Sequence, residues 1–344
     1  MKRRLPAEWE AQDGVLLAWP HEDTDWAPSL AEVEPVFIEL ARQISRRERV
    51  VIAAPDPDRP RELLARAGIE PGRIVVLALP TNDTWTRDCG PITVEEDGRP
   101  RLLDFGFNGW GLKFAAGDDN QLSRRLHAAG VFGDTPLETI GLVLEGGSME
   151  SDGQGTLLTT APCLLQANRN PHLGREQIET QLREKLGADH ILWLHHGCLD
   201  GDDTDSHIDT LARLCPGDTI LHVSCDDPRD PHAPELAAMV RELAAFRTRD
   251  GRPFRLIPLP WPGAKYAPDG HRLPATYANF LVINGAVLVP TYRDPQDRAA
   301  LAAVGLAFPD REIVPVDCLP LILQHGSLHC VTMQIPRGVL PCAS

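Results

Sequence analysis

The 344-residue sequence predicts an α/β fold built from repeated units, each a few strands and a helix. Three observations predict it. Strand-like and helix-like runs alternate along the whole length. Hairpin signals interrupt that alternation, which a simple βαβ winding would lack. Polar groups at the ends of apolar strands recur at intervals near 60 residues, as in a ring of similar modules, and five such modules fit the chain.

The elements follow in order. "GVLLAW" (14–19) reads as a buried strand. Ser29 is placed to cap a helix whose apolar positions Val33, Val36, Phe37, Leu40 and Ile44 share one face. "VVIAA" (50–54) and "RIVVLAL" (73–79) are strands. "PITV" and "RLLDF" flank "EEDGRP", where Asp97-Gly98 predicts a hairpin. A helix near 119–129 leads to the strand "LVLE" (142–145), and "TLLTT" follows the glycine-rich turn 152–155. A helix over 175–186 leads to "HILWL" (190–194). Strands are expected at 207–214 and 219–224, then a helix over 234–247 and the strand "FRLIPL". "NFLVINGAVLVP" (279–290) is a hairpin turning at Asn284-Gly285. A helix near 295–304 and strands near 312–317 and 328–335 complete the series. No linker or low-complexity stretch divides the chain, so one domain over 1–344 is expected.

At 42% hydrophobic and 24% charged, the composition is globular. The formal net charge of -15 repels nucleic acid and anionic membranes and attracts cations. No segment approaches the roughly 20 apolar residues of a membrane span. The start, "MKRRLPAEWEAQDG", has basic residues with no apolar run behind them, so it is not a signal peptide. A cytoplasmic location is expected, where the sequon Asn82-Asp83-Thr84 has no glycosylation meaning. The eight cysteines (89, 163, 198, 215, 225, 318, 330 and 342) contain no CxxC pair and are expected as reduced thiols, most of them in the core.

Four stretches stand out chemically. "TNDTWTRDCGP" (81–91) carries Asp83, Asp88 and Trp85; "LEGGS" (144–148) puts Glu145 at a strand end. "GDDTDSHIDTLAR" (201–213) carries four aspartates and His207, and "QHGSLHC" carries Cys330. Each has a structural reading. Asp88 suits a turn, Glu145 a solvated strand end, and Cys330 an inert core thiol. His207 and Asp209, two apart, would share one face of a strand. The spacing tells otherwise: Asp88 to Glu145 is 57 residues, Glu145 to His207 is 62, and His207 to Cys330 is 123, about two such steps.

A thiol, a histidine and three carboxylates in one pocket suit a guanidinium. Carboxylates bind that planar cation through paired charge-assisted hydrogen bonds. Its central carbon is a poor electrophile and needs a strong nucleophile such as thiolate. A thiol with a pKa of about 8.5 is only a few per cent ionised at pH 7. A cation about 4 Å away favours thiolate by about 4 kcal/mol at an effective dielectric near 20. Burial opposes ionisation while the pocket is empty, so the substrate helps to activate its own attacker.

Together, "WPHEDTDW", "TNDTWTRDCGP", "DFGFNGWGLK", "LEGGSMESDG", "NRNPHL", "GDDTDSHIDTLAR", "RLPATYANFL" and "QHGSLHCVTMQ" resemble, in order and almost end to end, the agmatine deiminase / Porphyromonas-type peptidyl-arginine deiminase family of the guanidine-modifying (pentein) superfamily. The resemblance implies a five-bladed α/β propeller of ββαβ-type modules. It implies hydrolysis of agmatine to N-carbamoylputrescine and ammonia, a step of putrescine and polyamine biosynthesis, with no metal or organic cofactor. Carried over by position, Cys330 is the nucleophile that forms a thiouronium intermediate, and His207 the general acid/base. Glu145 orients His207 and contacts the guanidinium. Asp88 and Asp209 clamp its nitrogens, and Trp85 walls the alkyl chain. The run "QHGSLHC" departs from the glycine-rich "GGGNxHC"-like run of many agmatine deiminases.

The implied partner is a small cationic guanidino compound, with neither nucleic acid nor membrane; the sequence is compatible with a homo-oligomer. Peptidyl-arginine or free arginine is the alternative substrate. The latter needs a cation for its carboxylate, for which Arg87 is a candidate. A metallohydrolase would use His325 and His329, four apart, with His195, His196 and Cys198. If "SLHCVTMQI" is a strand, residues four apart lie about 13 Å from each other, which argues against that pair. Calcium binding at 200–209 fails, because no glycine or terminal glutamate falls at EF-hand spacing. A non-catalytic binding module would have no need of the thiol.

Overall fold

The computed structural model describes residues 3–341. Among these, one plan recurs in five sheets: an antiparallel strand pair, a helical crossover, and a third strand parallel to the second. Ile92–Glu96, Arg99–Gly106 and Leu137–Val143 form one unit, with the short strand Arg3–Arg4 on its edge. Met149–Ser151, Thr156–Thr160 and His190–Leu194 form the next, crossed over by the helix Arg175–Leu186. Ala212–Cys215, Thr219–Val223 and Arg255–Leu259 follow, with the helix Ala233–Ala245. Leu281–Ile283, Ala286–Thr291 and Glu312–Asp317 follow again, with the helix Asp297–Ala307.

The remaining unit joins the two ends of the described chain. Met333–Pro336 runs antiparallel to Gln12–Ala18, which lies parallel to Arg49–Ala54 and, beyond it, Ile74–Ala78. The helix Leu30–Ser45 crosses between the first two parallel strands and buries the expected apolar face of Val33, Val36, Phe37, Leu40 and Ile44. Ser29 sits at its start, but its hydroxyl bonds to the Trp26 carbonyl instead of capping the helix. The fold is thus a mixed α/β structure of several small sheets. The second strand of each unit carries part of the core: Leu103, Leu157, Leu221, Val287 and Leu16 are fully excluded from solvent. Their apolar runs are what the sequence reads as buried strands.

Three expected strands start late or stop early, and the differences build the site. The strand at 328–335 begins only at Met333, the strand at 207–214 only at Ala212, and the strand through 142–145 stops at Val143. The residues left over form tight turns leading into each antiparallel pair. In all three, a hydroxyl three residues on bonds back to a carbonyl: Ser148 to Glu145 (2.6 Å), Thr210 to His207 (2.8 Å) and Thr332 to His329 (3.0 Å). The backbone N–H groups of the same residues bond to the same carbonyls. These local bonds satisfy buried backbone groups within the turn and so compete with the sheet ladder.

Candidate active site

The lead-in turns deliver the polar side chains. Asp88 lies in the one-turn helix Thr86–Cys89 ahead of Ile92–Glu96. Glu145 precedes the turn Gly146–Ser148, ahead of Met149–Ser151. His207 precedes Ile208–Thr210, which contains Asp209, ahead of Ala212–Cys215. His329 and Cys330 come ahead of Met333–Pro336. The unit at 281–317 contributes Asn279, which the sequence reading did not single out. The approximate 60-residue interval in the sequence is the repeat of these turns.

The turns meet. The Cys330 sulfur lies 3.9 Å from Oδ2 of Asp209 and 3.2 Å from Nδ2 of Asn279. Nδ1 of His207 is 3.5 Å from Oδ1 of Asp88. The Gly147 N–H donates to that same Oδ1 at 3.0 Å, and Trp110 donates its indole N–H to Oδ2 at 3.0 Å. Gly147 must be glycine: a Cβ there would stand 2.6 Å from His207 Nδ1 and 2.8 Å from Asp88 Oδ1. Gly326 likewise gives way to a ring, since its Cβ would fall 2.1 Å from Cζ3 of Trp85.

Glu145 is close to His207 but bonded elsewhere. Arg169, of the "NRNPHL" stretch, donates Nε to both its carboxylate oxygens (2.8 and 3.0 Å) and reaches on to Asp205 Oδ2 (2.6 Å) and the Thr204 carbonyl (2.9 Å). Both ring nitrogens of His207 and Oδ1 of Asp209 are buried without a hydrogen-bond partner. These unpaired atoms are the ones a ligand would satisfy.

Behind Asp209 lies an interior row that sequence spacing could not reveal. His329 Nδ1 is 2.7 Å from Asp209 Oδ2, and its Nε2 is 2.7 Å from Oε2 of Glu8. Arg213 bonds Glu8 and Glu150 from the side. Nη2 of Arg213 also lies 3.0 Å from His329 Nε2, so a neutral His329 can donate from Nδ1 to Asp209 and accept at Nε2 from Arg213, which bridges it to Glu8.

The electrostatics follow from burial among like charges. Burial, then Asp209 and Asp88, push the Cys330 thiol well above its ordinary value. Burial, then Asp209 and Glu145, push Asp88 well above the carboxylate range. Burial also raises Glu145, against the pull of Arg169. Burial holds His207 down at about 3. Asp209 stays below its ordinary value, because its bond to His329 and the surrounding cations outweigh burial. The empty site therefore disfavours the thiolate of Cys330, the carboxylate of Asp88 and the imidazolium of His207, and favours the anion of Asp209. A cation entering it would reverse the first two.

A cavity with about 110 Å³ of free space reaches Cys330 and Asp88. Trp85, Trp110 and Phe114 form its aromatic wall; Asp25, Asp83, Asp202, Asp203 and His325 stand around it; among the described residues no lysine or arginine lines it. Arg87, the candidate partner for a carboxylate, is buried elsewhere: it bonds Gln334 and lines a separate cavity beside Glu8 and Gln12.

Among the described residues, two clusters have metal-ligand composition, Glu145–Cys163–His207 and Glu8–Glu150–His329. In each an arginine already occupies the cation's place, Arg169 on Glu145 and Arg213 on Glu8 and Glu150. His325 does not join His329: it bonds the Gly201 carbonyl and Asp203 instead. His196 pairs with Glu242 on the helix Ala233–Ala245. The seven cysteines among the described residues are free, and Cys342 lies outside them. Cys198 is exposed, whereas five of the seven are buried. Among the described residues, no helix is long and apolar enough to cross a membrane.

Comparison with known proteins agrees with this geometry. The profile of the Porphyromonas-type peptidyl-arginine deiminase family matches residues 4–336. Agmatine deiminase of Pseudomonas aeruginosa is 36% identical, over 97% of this chain and 95% of that one. A Porphyromonas gingivalis structure described as a candidate arginine deiminase is 51% identical, covering 99% of this chain and 100% of that chain, with a TM-score of 0.93. C. jejuni agmatine deiminase, solved as a cysteine-to-serine variant with substrate bound, is 38% identical over 98% and 97% of the two chains, with a TM-score of 0.91. With residues 4–336 matched by that profile, the chain belongs to the Porphyromonas-type peptidyl-arginine deiminase family.

Proposed function

We propose that the protein is an agmatine deiminase, hydrolysing the guanidinium of agmatine to N-carbamoylputrescine and ammonia. The observation that carries this reading is the cavity at Cys330: carboxylates and aromatic rings dominate its lining, its His325 is paired with Asp203, and among the described residues neither lysine nor arginine lines it. Such a pocket accepts a slender molecule that is cationic at both ends.

In this reading the guanidinium lies between Asp88 and Asp209, its N–H groups donating to the free Oδ1 of Asp209 and to Asp88. Trp85 packs along the alkyl chain. The Cys330 thiol passes its proton to His207, and the thiolate attacks the central carbon, giving a tetrahedral adduct. His207 returns that proton to one terminal nitrogen, the C–N bond breaks, and ammonia leaves a thiouronium on Cys330. His207 then takes a proton from water, and the hydroxide attacks the same carbon. Collapse expels the sulfur, which takes back the proton held by His207, and the adduct's hydroxyl releases its proton to solvent, leaving the ureido product with the resting thiol and imidazole. Glu145, fixed by Arg169, supplies negative charge beside the His207 imidazolium that forms in each half-reaction. The two unpaired nitrogens of His207 support this acid/base role.

The same reading takes the five units as blades of a five-bladed α/β propeller and the chain as one catalytic domain over 1–344. The meeting of their lead-in turns near one cavity supports that arrangement.

Free arginine or peptidyl-arginine is the second reading, favoured by the 51% identity to a chain described as a candidate arginine deiminase. An α-carboxylate would face Asp202 and Asp203 here, and like charges oppose it. Turnover of agmatine, free arginine and an arginyl peptide side by side tests the choice. Agmatine should lead free arginine in kcat/KM by about tenfold or more; an arginyl peptide overtaking agmatine would contradict the proposal.

A further inference from the structure

We infer that His325 sets the charge specificity of the cavity: as a neutral imidazole it admits a second cationic group on the substrate, and as an imidazolium it opposes one. This role rests on the cavity binding a guanidino compound, as proposed above, and it decides which tails that compound can carry.

His325 ends the short helical turn Leu321–Gln324 and lines the cavity between Gln324 and Gly326. Its backbone is left-handed (φ 68°), and its N–H donates to the Ile322 carbonyl at 3.0 Å. The next residue, Gly326, is pressed against Trp85, so the turn has little room to shift. Nδ1 of the ring lies 2.7 Å from the Gly201 carbonyl oxygen and 3.0 Å from Oδ2 of Asp203. A carbonyl oxygen only accepts, so Nδ1 carries a hydrogen in both ionisation states. Nε2 is left to gain and lose the second proton. The His271 ring packs alongside, with centroids 5.1 Å apart and planes tilted by 30°.

Among the described residues, His325 is the side chain lining this cavity that can gain a positive charge near neutral pH. Three sets of charged groups face it. On the loop ahead of His207 stand Asp203 and Asp202, the latter accepting the N–H groups of Thr204 (3.0 Å) and Ser206 (2.6 Å). Lys113 joins this loop at the Asp203 carbonyl (2.6 Å) and Oδ1 of Asp205 (2.8 Å). In the hairpin that pairs Lys265–Tyr266 with Arg272–Leu273, His271 is bonded to Asp269 at 2.5 Å. Around the cavity are the exposed Asp25 and Asp83, which burial lifts to about 6. The bond to Asp203 outweighs burial and raises the His325 imidazole above its ordinary value. Protonation there adds a positive charge to a small cavity and tightens the hold on Asp203. A cationic tail then meets repulsion and finds one carboxylate less available; a neutral tail meets neither effect, and a carboxylate tail gains. Preference for an ammonium tail therefore strengthens as pH rises through the His325 titration.

The test compares agmatine with 1-butylguanidine, which keeps the guanidinium and lacks the distal ammonium. Their kcat/KM values are measured from about pH 5.5 to about pH 8.5 in the parent and in His325→Asn. Asparagine tolerates a left-handed backbone and keeps an N–H for the Gly201 carbonyl, but it does not titrate. Ionisations of Cys330, His207 and Asp88 act on both substrates and cancel in their ratio, and those of Asp83 and Asp202 are common to parent and variant. Across the range the agmatine-to-butylguanidine ratio should rise about 3- to 10-fold more in the parent than in His325→Asn. A parallel rise in the two proteins would overturn the inference. A second reading needs no variant at 325: the His325 ring signal of full-length Cys330→Ser, identified by NMR through its contact with the His271 ring. Saturating agmatine should lower its midpoint by about 0.5–1 unit, and butylguanidine by less. A midpoint that agmatine leaves in place would overturn the inference. Failure of the parent to turn over agmatine at any pH would strike the agmatine reading and the role of His325 with it, whereas a parallel rise strikes the role of His325 alone.

Discussion

Oδ2 of Asp209 lies 3.9 Å from the Cys330 sulfur and is bonded to His329, whereas Oδ1 of the same carboxylate has no partner. One oxygen is anchored to the interior and the other is left for a ligand. That anchored anion suppresses thiolate in the empty site and attracts the cation that relieves the suppression.

Asp88 should be the residue whose charge binds and whose removal leaves the fold intact. Asp88→Asn removes the charge at nearly constant shape, at the expense of one of the two bonds that its oxygens accept from Gly147 and Trp110. A charge-assisted hydrogen bond contributes about 1.5–3 kcal/mol. Loss of one should raise KM for agmatine by roughly 10- to 150-fold, with a melting transition near the parent's. Steady-state kinetics and thermal unfolding on the same preparation check it; a collapsed melting transition would return Asp88 to a turn-forming role.

Binding should release protons. Asp88 has a raised value in the folded, empty protein, so its contribution to stability is full at acid pH and is lost as pH rises through that raised value. A bound guanidinium favours the ionised carboxylate. Agmatine binding to Cys330→Ser at pH 7 should release up to about one proton, read by calorimetry in buffers of different ionisation enthalpy. The release should shrink in the Asp88→Asn double variant, and net proton uptake would contradict this account.

Gly147→Ala places a methyl group against His207 and Asp88. Displacement of reacting groups by a fraction of an ångström to an ångström costs on the order of 100-fold. A loss of that order in kcat/KM is expected, with a modest drop in melting temperature. Parent-like kinetics would mean that the two side chains are not held where the structure puts them.

Arg169→Leu should act on stability as well as rate. It strips the partner from the fully buried Glu145 and leaves Asp205, which together with Ser206 adopts a left-handed backbone, with Lys113 as its remaining cation. Breaking a buried ion pair on one side costs about 3–5 kcal/mol. Urea unfolding should show a loss of that size, and a near-neutral result would mean that Glu145 takes up a proton and needs no partner.

Much of the site was legible because its residues are ionisable and recur with the fold's repeat: Asp88, Glu145, His207, Asp209 and Cys330 all stand in the lead-in turns. Asn279 escaped because it is neutral. The interval of 123 residues from His207 to Cys330 left room for one more turn, but a search among titratable groups passes over an amide. The turns themselves were read as strand, since a short apolar run has the same pattern in either state. The hydroxyls at Ser148, Thr210 and Thr332, three residues after Glu145, His207 and His329, were the local signal. Glu8, Arg169 and Trp110 act only through tertiary partners 321, 24 and 22 residues away in sequence, and no local pattern announces such bonds.

The central claim is that the Cys330 sulfur becomes bonded to the guanidinium carbon. Rapid quenching of the enzyme during agmatine turnover, followed by mass spectrometry of the Cys330 peptide, tests it most directly. A covalent adduct that carries the substrate carbon skeleton minus ammonia, appears before product and is absent in Cys330→Ser along with ammonia release, is the expected result. Continued ammonia release from Cys330→Ser, with no adduct at that sulfur in the parent enzyme, would contradict it.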